Sequence, residues 1–365
     1  MALKLNCRRL RGYAFDPSLS LQVDTALVNE TIFEVRWENL ESPKGTAADE
    51  KDAEGEGEGG RPLGKYPVGQ YLEIVDYDPA SKCFYEPINL NDRLVLAQDG
   101  LRPSESDPRF HQQMVYAVAM TTIQNFEKAL GRQALWGERK KVYGKDRYVA
   151  REERYVQRLR IYPHALREAN AFYSPEKVAL LFGYFSASSD SPDRQIPGGI
   201  VFTCLSHDII AHETTHALLD GMHQRYIESS HPDGLAFHEA FADIVALFQH
   251  FTFPEVLRHQ IAKTKGNLSE QNMLGKLAQE FGQAIGNYGA LRDAIGGVNP
   301  ETKVWELKKP HPDDYLTILE PHARGSILVA AIFDAFLTIY KSRIADLLRI
   351  ATSGTGKLPD GEIHP

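Results

Sequence analysis

HDIIAHETTHALLD, residues 207–220, carries the run His212-Glu213-Thr214-Thr215-His216. On a helix, His212 and His216 fall on one face a single turn apart, so both imidazoles can reach one metal ion. Glu213 lies about 100° around the helix from His212. It cannot be a third ligand in that geometry, but it can address a water on the metal, the position of a general base. Ile209, Ile210, Ala217, Leu218 and Leu219 make the rest of the helix apolar and therefore buried, and a buried helix bearing two His and a Glu needs compensating partners. The plainer alternative is a pair of core histidines bonded to backbone.

A metal needs a third protein ligand and an open position for water. The segment FHEAFADIVALF, residues 237–248, supplies a candidate, with Glu239 and Asp243 one turn apart on an otherwise apolar helix. Two buried carboxylates on one stripe are costly without cations. Glu239 as ligand and Asp243 as acceptor for a ligand imidazole would satisfy both. The alternative is a solvated pair on an exposed face, against which Phe237, Phe241, Ile244 and Leu247 argue. Two imidazoles and a carboxylate suit a single Zn2+.

Outward from this pair of helices, the period of the sequence changes near residue 109. Phe110–Leu130 has helical spacing and Gly131 is a natural stop. Before it, LQVDTALV and IFEVRWENL alternate as strands do, and strand-like segments resume at Gln70–Tyr77 and Arg93–Ala97. Between them, residues 43–62 form an acidic, Gly-rich insertion expected to be solvated and disordered. Residues 132–160 are strongly charged and predict a loop or hairpin. Residues 170–185 predict extended structure with a turn at Ser174-Pro175. Gly198–Ala217 runs from strand or loop into helix, and Leu235–Phe251 and Ser326–Tyr340 are two further helices. The expected organisation is a β-rich region over 1–108, an α/β half over 109–220 and a mainly helical half over 221–365.

The chain has 365 residues, 42% hydrophobic and 25% charged, enough to bury a sizeable core. The 41 Lys and Arg against 49 Asp and Glu give −8, which predicts no general attraction for nucleic acid or anionic membrane. No membrane span is expected, since the apolar run Ile327–Phe336 is short and meets Asp334 and Lys341. The N-terminus lacks the apolar core of a signal peptide. With three cysteines, Cys7, Cys83 and Cys204, in no metal spacing, free thiols in the cytoplasm are expected, or an exported chain whose leader has been removed.

The motifs together resemble the thermolysin family of zinc peptidases, in which His-Glu-x-x-His is followed by Asn-Glu-x-x-x-Asp. Here the second part reads His238-Glu239-Ala240-Phe241-Ala242-Asp243, with His in place of Asn. The resemblance implies an α+β fold, His212, His216 and Glu239 as zinc ligands, Glu213 as base and proton shuttle, and Asp243 holding a ligand histidine. Upstream, Asn170-Ala171-Phe172-Tyr173 resembles the family's edge strand, whose Asn and Ala bind the substrate backbone. Downstream, His322-Ala323-Arg324-Gly325-Ser326-Ile327 resembles a family segment whose His stabilises the oxyanion, so the resemblance gives that role to His322, with Glu320 to orient its ring. Leu291-Arg292 resembles a pair in which Arg292 would bond a substrate carbonyl. Tyr226 takes the place of an oxyanion-donating tyrosine, with His231 as its competitor. Ile209 and Leu291 would line an apolar pocket after the scissile bond.

The resemblance covers residues 110 to 341, and the chain departs from the family in several places. The family's calcium carboxylates are missing after the second helix, and Asp208 alone cannot hold an ion that wants six to eight oxygens, so calcium is not expected. The family continues into more helices beyond the position of Pro365, so the sequence is expected to be truncated or a catalytic fragment of a longer protein. The expected activity is hydrolysis of a peptide or protein substrate. The alternatives are a metallohydrolase with a narrow non-peptide or single-protein substrate, and a catalytically silent binding scaffold. Retention of Glu213 speaks against the scaffold.

Overall fold

The computed structural model describes residues 7–21, 23–38, 40, 67–142, 151–186, 199–227, 231–268, 296–298, 305–307, 310–355 and 358. Arg292, Leu291 and the insertion at 43–62 lie outside them. The chain divides into two compact units, Met1–Tyr226 and Ile227–Pro365. It is a mixed α/β protein.

The first unit opens with an antiparallel hairpin of β1 (Cys7–Tyr13) and β2 (Glu30–Arg36). Its connection corrects the strand expected from LQVDTALV. A 3-10 turn over Pro17–Leu21 leads into helix α1 (Val23–Asn29). Asp16 accepts the Ser18 N–H at 2.8 Å, and Thr25 donates to the Leu19 carbonyl at 2.6 Å. Such local bonds compete with ladder pairing and win where alternation alone is weak. Strands β3 (Leu72–Ile74), β4 (Tyr77–Asp78) and β5 (Cys83–Phe84) follow. Arg93–Ala97, expected as a strand, is helix α2, because Asp92 accepts the N–H groups of Leu94 at 2.7 Å and Val95 at 3.3 Å as an N-cap.

Helix α3 (Pro108–Leu130) is the core of this unit, and Gly131 ends it in the left-handed conformation at φ 65°. It is buried on nearly every side, with Phe110, Met114, Val115 and Ile123 out of contact with solvent. Full burial of a side chain of this size contributes about 1.5–3 kcal/mol. Its polar residues are buried too, and they stitch loops together. Gln113 takes the Leu101 N–H at 2.8 Å and donates to the carbonyls of Arg11 and Leu101 at 2.8 and 3.0 Å. Burial, with His164 beside it, pushes the His111 imidazole down to about 3.

The charged stretch after α3 forms a hairpin of β6 (Arg139–Val142) and β7 (Arg151–Arg154). Strands β8 (Leu159–Leu166), β9 (Ala171–Ser174), β10 (Ala179–Ser186) and β11 (Ile200–Phe202) then join β3 in a five-stranded mixed sheet of order β11-β10-β8-β3. β8 runs parallel to β3 and β10, whereas β9 and β11 are antiparallel to β10. Among the described residues β9 pairs with β10 alone, so it is an edge strand. Gly183 permits the crowding beside it. A Cβ there would overlap the Glu168 carbonyl and lie 2.6 Å from that of Asn170. A short 3-10 turn at Thr203–Leu205 leads into α4 (His207–Met222).

The second unit is mainly helical, with α5 (Pro232–His250), α6 (Pro254–Thr264), α7 (Pro312–Thr317) and α8 (Pro321–Ala351), and a small hairpin of Gly296–Val298 with Trp305–Leu307. α5 packs on α8 through small residues. A Cβ on Gly325 would lie 2.7 Å from the Ala236 carbonyl and 3.2 Å from the Ala240 nitrogen. Phe336 of α8 meets Phe248 and Phe251 at ring-centroid distances of 5.2 and 4.9 Å. α8 extends well past the expected Ser326–Tyr340. It is long and apolar enough, by length and composition, to cross a membrane, which corrects the expectation that no segment is. Asp334 does not interrupt it, because it is exposed at the border of the buried stripe of Val329, Ala330, Phe333 and Leu337 and one solvated charge there is tolerated.

Candidate metal and peptide site

In the first unit, His212, Glu213 and His216 are all buried on α4. The two Nε2 atoms face each other at 2.9 Å, with the rings perpendicular and their centroids 4.5 Å apart. One ligand atom from each of the three residues lies within 4.8 Å of the others. The helix can hold this polar run because its buried threonines are satisfied internally. Thr214 and Thr215 donate to the carbonyls of Ile210 and Ala211, one turn back, at 2.6 and 2.7 Å.

Glu213 points to the edge strand. Its Oε2 accepts the backbone N–H of Tyr173, in β9, at 2.8 Å. The same tyrosine reaches α4 a second time, its hydroxyl donating to Asp220 Oδ2 at 2.6 Å. Burial first, and Asp220 next, push the Tyr173 phenol far above its usual range, so it remains a donor. Glu213 and Asp220 are seven residues apart and share a helix face. β9 is thus fastened to α4 at two points, one of them the proposed base. The motif reading gives Asp220 no role, although its seven-residue spacing from Glu213 places both on one helix face.

Asn170 and Ala171 lie at the start of this strand, Asn170 exposed and Ala171 half-buried. The Asn170 carbonyl accepts from Thr203 Oγ1 at 3.3 Å, and its amide donates to Glu168 at 3.4 Å. Tyr226 is 40% exposed, and its ring stacks on His223 at a centroid distance of 4.7 Å.

In the second unit, Glu239 and Asp243 occupy α5, with Asp243 buried and the Glu239 side chain 19% exposed. Phe237, expected to shield them, is 40% exposed and pairs with Phe241 at 5.7 Å. Leu247 is buried as expected, and Ala236 and Ala240 are buried beside it where α5 approaches Gly325 closely. His322 Nδ1 lies 3.2 Å from Glu239 Oε2. Glu320 does not orient the His322 ring. Its carboxylate caps α8 by accepting the N–H of His322 at 3.1 Å and of Ala323 at 2.6 Å, the stronger demand at a helix start. His231 also caps a helix, its Nδ1 accepting the Asp233 N–H at 3.2 Å. Arg324, from the same motif as His322, bonds Asp233 at 2.6 Å and lies 4.1 Å over the Tyr315 ring.

No family model matches the chain. No curated protein matches it.

Proposed function

We propose that the chain is a zinc-dependent endopeptidase of the kind its motifs resemble. The observation that carries this reading is the pair of Nε2 atoms of His212 and His216, 2.9 Å apart, beside a glutamate held by an edge strand. Two imidazole nitrogens on one tetrahedral zinc stand about 3.3 Å apart at the usual bond lengths, so this pair fits the ion with a slight opening. In this reading the third protein ligand is Glu239, assigned from the sequence motif, and Asp243 backs a ligand imidazole. Such an ion, when bound, supplies Lewis acidity and a water with a pKa near neutrality.

The chain's own residues hold the substrate and move the proton. Tyr173 N–H anchors Glu213 through Oε2, and Glu213 Oε1 is the atom proposed to accept the proton of the attacking water and return it to the leaving amine. An extended peptide adds as a strand along β9 at Asn170 and Ala171. His322, with Tyr226, donates to the developing oxyanion, and Arg292 to a substrate carbonyl. Ile209 and Leu291 favour an apolar residue after the scissile bond.

The test is a peptidase assay on apolar and charged peptide libraries, with and without chelator, beside metal analysis. Cleavage that chelator abolishes and zinc restores, with apolar residues preferred after the cut, is the expected result. Metal-loaded protein that cleaves no peptide would overturn the endopeptidase reading. Cleavage of one protein from a cell extract, and of no peptide, would narrow the substrate to that protein.

A further inference from the structure

A second histidine cluster lies in the core of the first unit, away from α4. His111 comes from α3, His164 from β8 and Cys204 from the 3-10 turn after β11, and all three are at most 1% exposed. One donor atom from each lies within 4.8 Å of the others. Nothing in the proposed peptidase uses them.

The hydrogen bonds around the two rings decide what lies between them. His111 Nδ1 and His164 Nε2 face each other at 2.8 Å. On the far side, His111 Nε2 meets the Glu105 carbonyl at 3.1 Å, and a carbonyl only accepts, so that nitrogen carries its hydrogen. His164 Nδ1 meets Asp76 Oδ1 at 2.6 Å. The other oxygen of Asp76 accepts from Gln112 Nε2 at 2.8 Å. The orientation of that amide is set independently, because Gln112 Oε1 takes the Ile88 N–H at 2.9 Å. As a carboxylate Asp76 accepts at both oxygens, and His164 Nδ1 is then the donor. With both outer nitrogens protonated, two neutral rings would aim lone pairs at each other across 2.8 Å. A cation between them, a shared proton or a metal ion, removes the conflict, and the Cys204 sulfur, within 4.8 Å, offers a metal ion a third donor.

We propose that His111 Nδ1, His164 Nε2 and Cys204 Sγ supply three donors of a buried site for a borderline divalent metal, Zn2+ being the best match to two imidazoles and a thiolate. Each imidazole already has the outer partner that metal-bound histidines use, a carboxylate for His164 and a backbone carbonyl for His111. The fold also aims His164 for this purpose. Between Leu181↔Tyr162 and Gly183↔Leu166 the β8–β10 register slips, so β8 bulges at Pro163–Ala165. Pro163 gives up no ladder bond there, and the bulge turns His164 into the core. In a tetrahedral zinc site at the usual bond lengths the two nitrogens stand about 3.3 Å apart and the sulfur about 3.6 Å from each, so the nitrogen pair at 2.8 Å opens slightly while the sulfur, within 4.8 Å of both, closes by at most about 1 Å. Binding would tie α3, β8 and the turn before α4 to one point, and the Cys204 thiol loses its proton to the solvent as the metal–sulfur bond forms.

The experiment uses the full chain loaded with zinc, and separately with cobalt. Two zinc equivalents are expected for the wild type, and one each for Cys204→Ser and His212→Ala. The cobalt protein should show a thiolate-to-metal charge-transfer band that survives in Cys83→Ser and His212→Ala and vanishes in Cys204→Ser. The α4 site has no cysteine, so the band reports this cluster alone; if Cys204→Ser fails to fold, its presence or absence in the wild type decides. A wild type with no thiolate band, and with one zinc that His212→Ala removes, overturns the proposal in favour of a proton shared by the two rings and leaves the peptidase reading standing. One zinc that only Cys204→Ser removes supports the core site and sinks the peptidase reading.

Discussion

Two histidine pairs in the first unit face each other at almost the same distance, 2.9 Å on α4 and 2.8 Å in the core, and they are built in opposite ways. His212 and His216 come from one turn of one helix, flanked by a glutamate fastened to an edge strand. His111 and His164 are 53 residues apart and reach each other only because α3 packs on the sheet. The first pair stands beside the edge strand β9; the second is enclosed by the aromatic rings of Tyr85 and Phe202, at 4.8 and 5.5 Å from His164. A helix repeat brings its histidines together locally, whereas the core pair exists only while distant segments stay packed. The difference predicts opposite consequences of damage.

The largest separation is expected from Glu213→Gln set against Cys204→Ser. Glutamine keeps an acceptor for the Tyr173 N–H but cannot take a proton, so turnover should fall by about 10²–10⁴-fold, the usual contribution of a general base. Melting temperature and metal content should hardly move. Cys204→Ser should do the reverse, lowering the melting temperature while the folded fraction keeps its turnover number. Assays of kcat beside thermal melts check both. A Glu213→Gln protein with full turnover and a lowered melting point would make the α4 cluster structural too, and the contrast would collapse.

That contrast also explains what could be read in the sequence. His212, Glu213 and His216 are legible because helix periodicity is local, and the buried threonines between them need nothing from outside the helix. The long helix ending at Gly131 and the turn at Ser174-Pro175 are legible for the same reason. The core cluster is not, since nothing near His111 or Cys204 announces a partner across the sheet and His164 is aimed by a bulge in the pairing register. Arg93–Ala97 was misread because five residues carry too little period, and the side chain of Asp92, outside the segment, decides it. Glu239 and Asp243 are placed on α5 as their spacing implies, and of the four apolar residues expected beside them Leu247 is buried, Phe241 and Ile244 are half-buried and Phe237 is exposed, while Ala236 and Ala240 face Gly325. Charge and alternation cannot register how closely two backbones approach.

A smaller effect tests whether the edge strand is mounted on α4 as rigidly as its two contacts imply. Tyr173→Phe removes the 2.6 Å bond to Asp220 and keeps the backbone bond to Glu213. Depriving a buried carboxylate of a donor costs about 1–3 kcal/mol. For a unit of this size that lowers the melting temperature by roughly 2–12 °C. Asp220→Asn should be destabilising as well, and the double variant should lose less than the sum of the two, since both remove one interaction. Full additivity would mean that the strand is held by something other than this pair.

The smallest effect lies at the other end of α3 and separates ordinary acid sensitivity from loss of a metal. Burial alone would raise the pKa of Glu127, but hydrogen bonds from Tyr71, from Arg36 at 2.6 Å and from the Ala134 N–H at 3.2 Å overcome it and hold the carboxyl below its ordinary value. A carboxylate whose folded pKa is depressed adds stability that is complete above its unfolded value, about 4.3, and is lost as pH falls through the folded value. Metal ligands also release their ion in acid, so both effects steepen the same limb of the stability curve. Glu127→Gln isolates the carboxylate. It should cost about 1 kcal/mol at neutral pH, and the gap from wild type should close as pH drops below 4. Urea melts between pH 3 and 7 measure that gap directly. A gap that stays constant across the range would show that Glu127 acts through packing, and the whole acid limb would then belong to other groups.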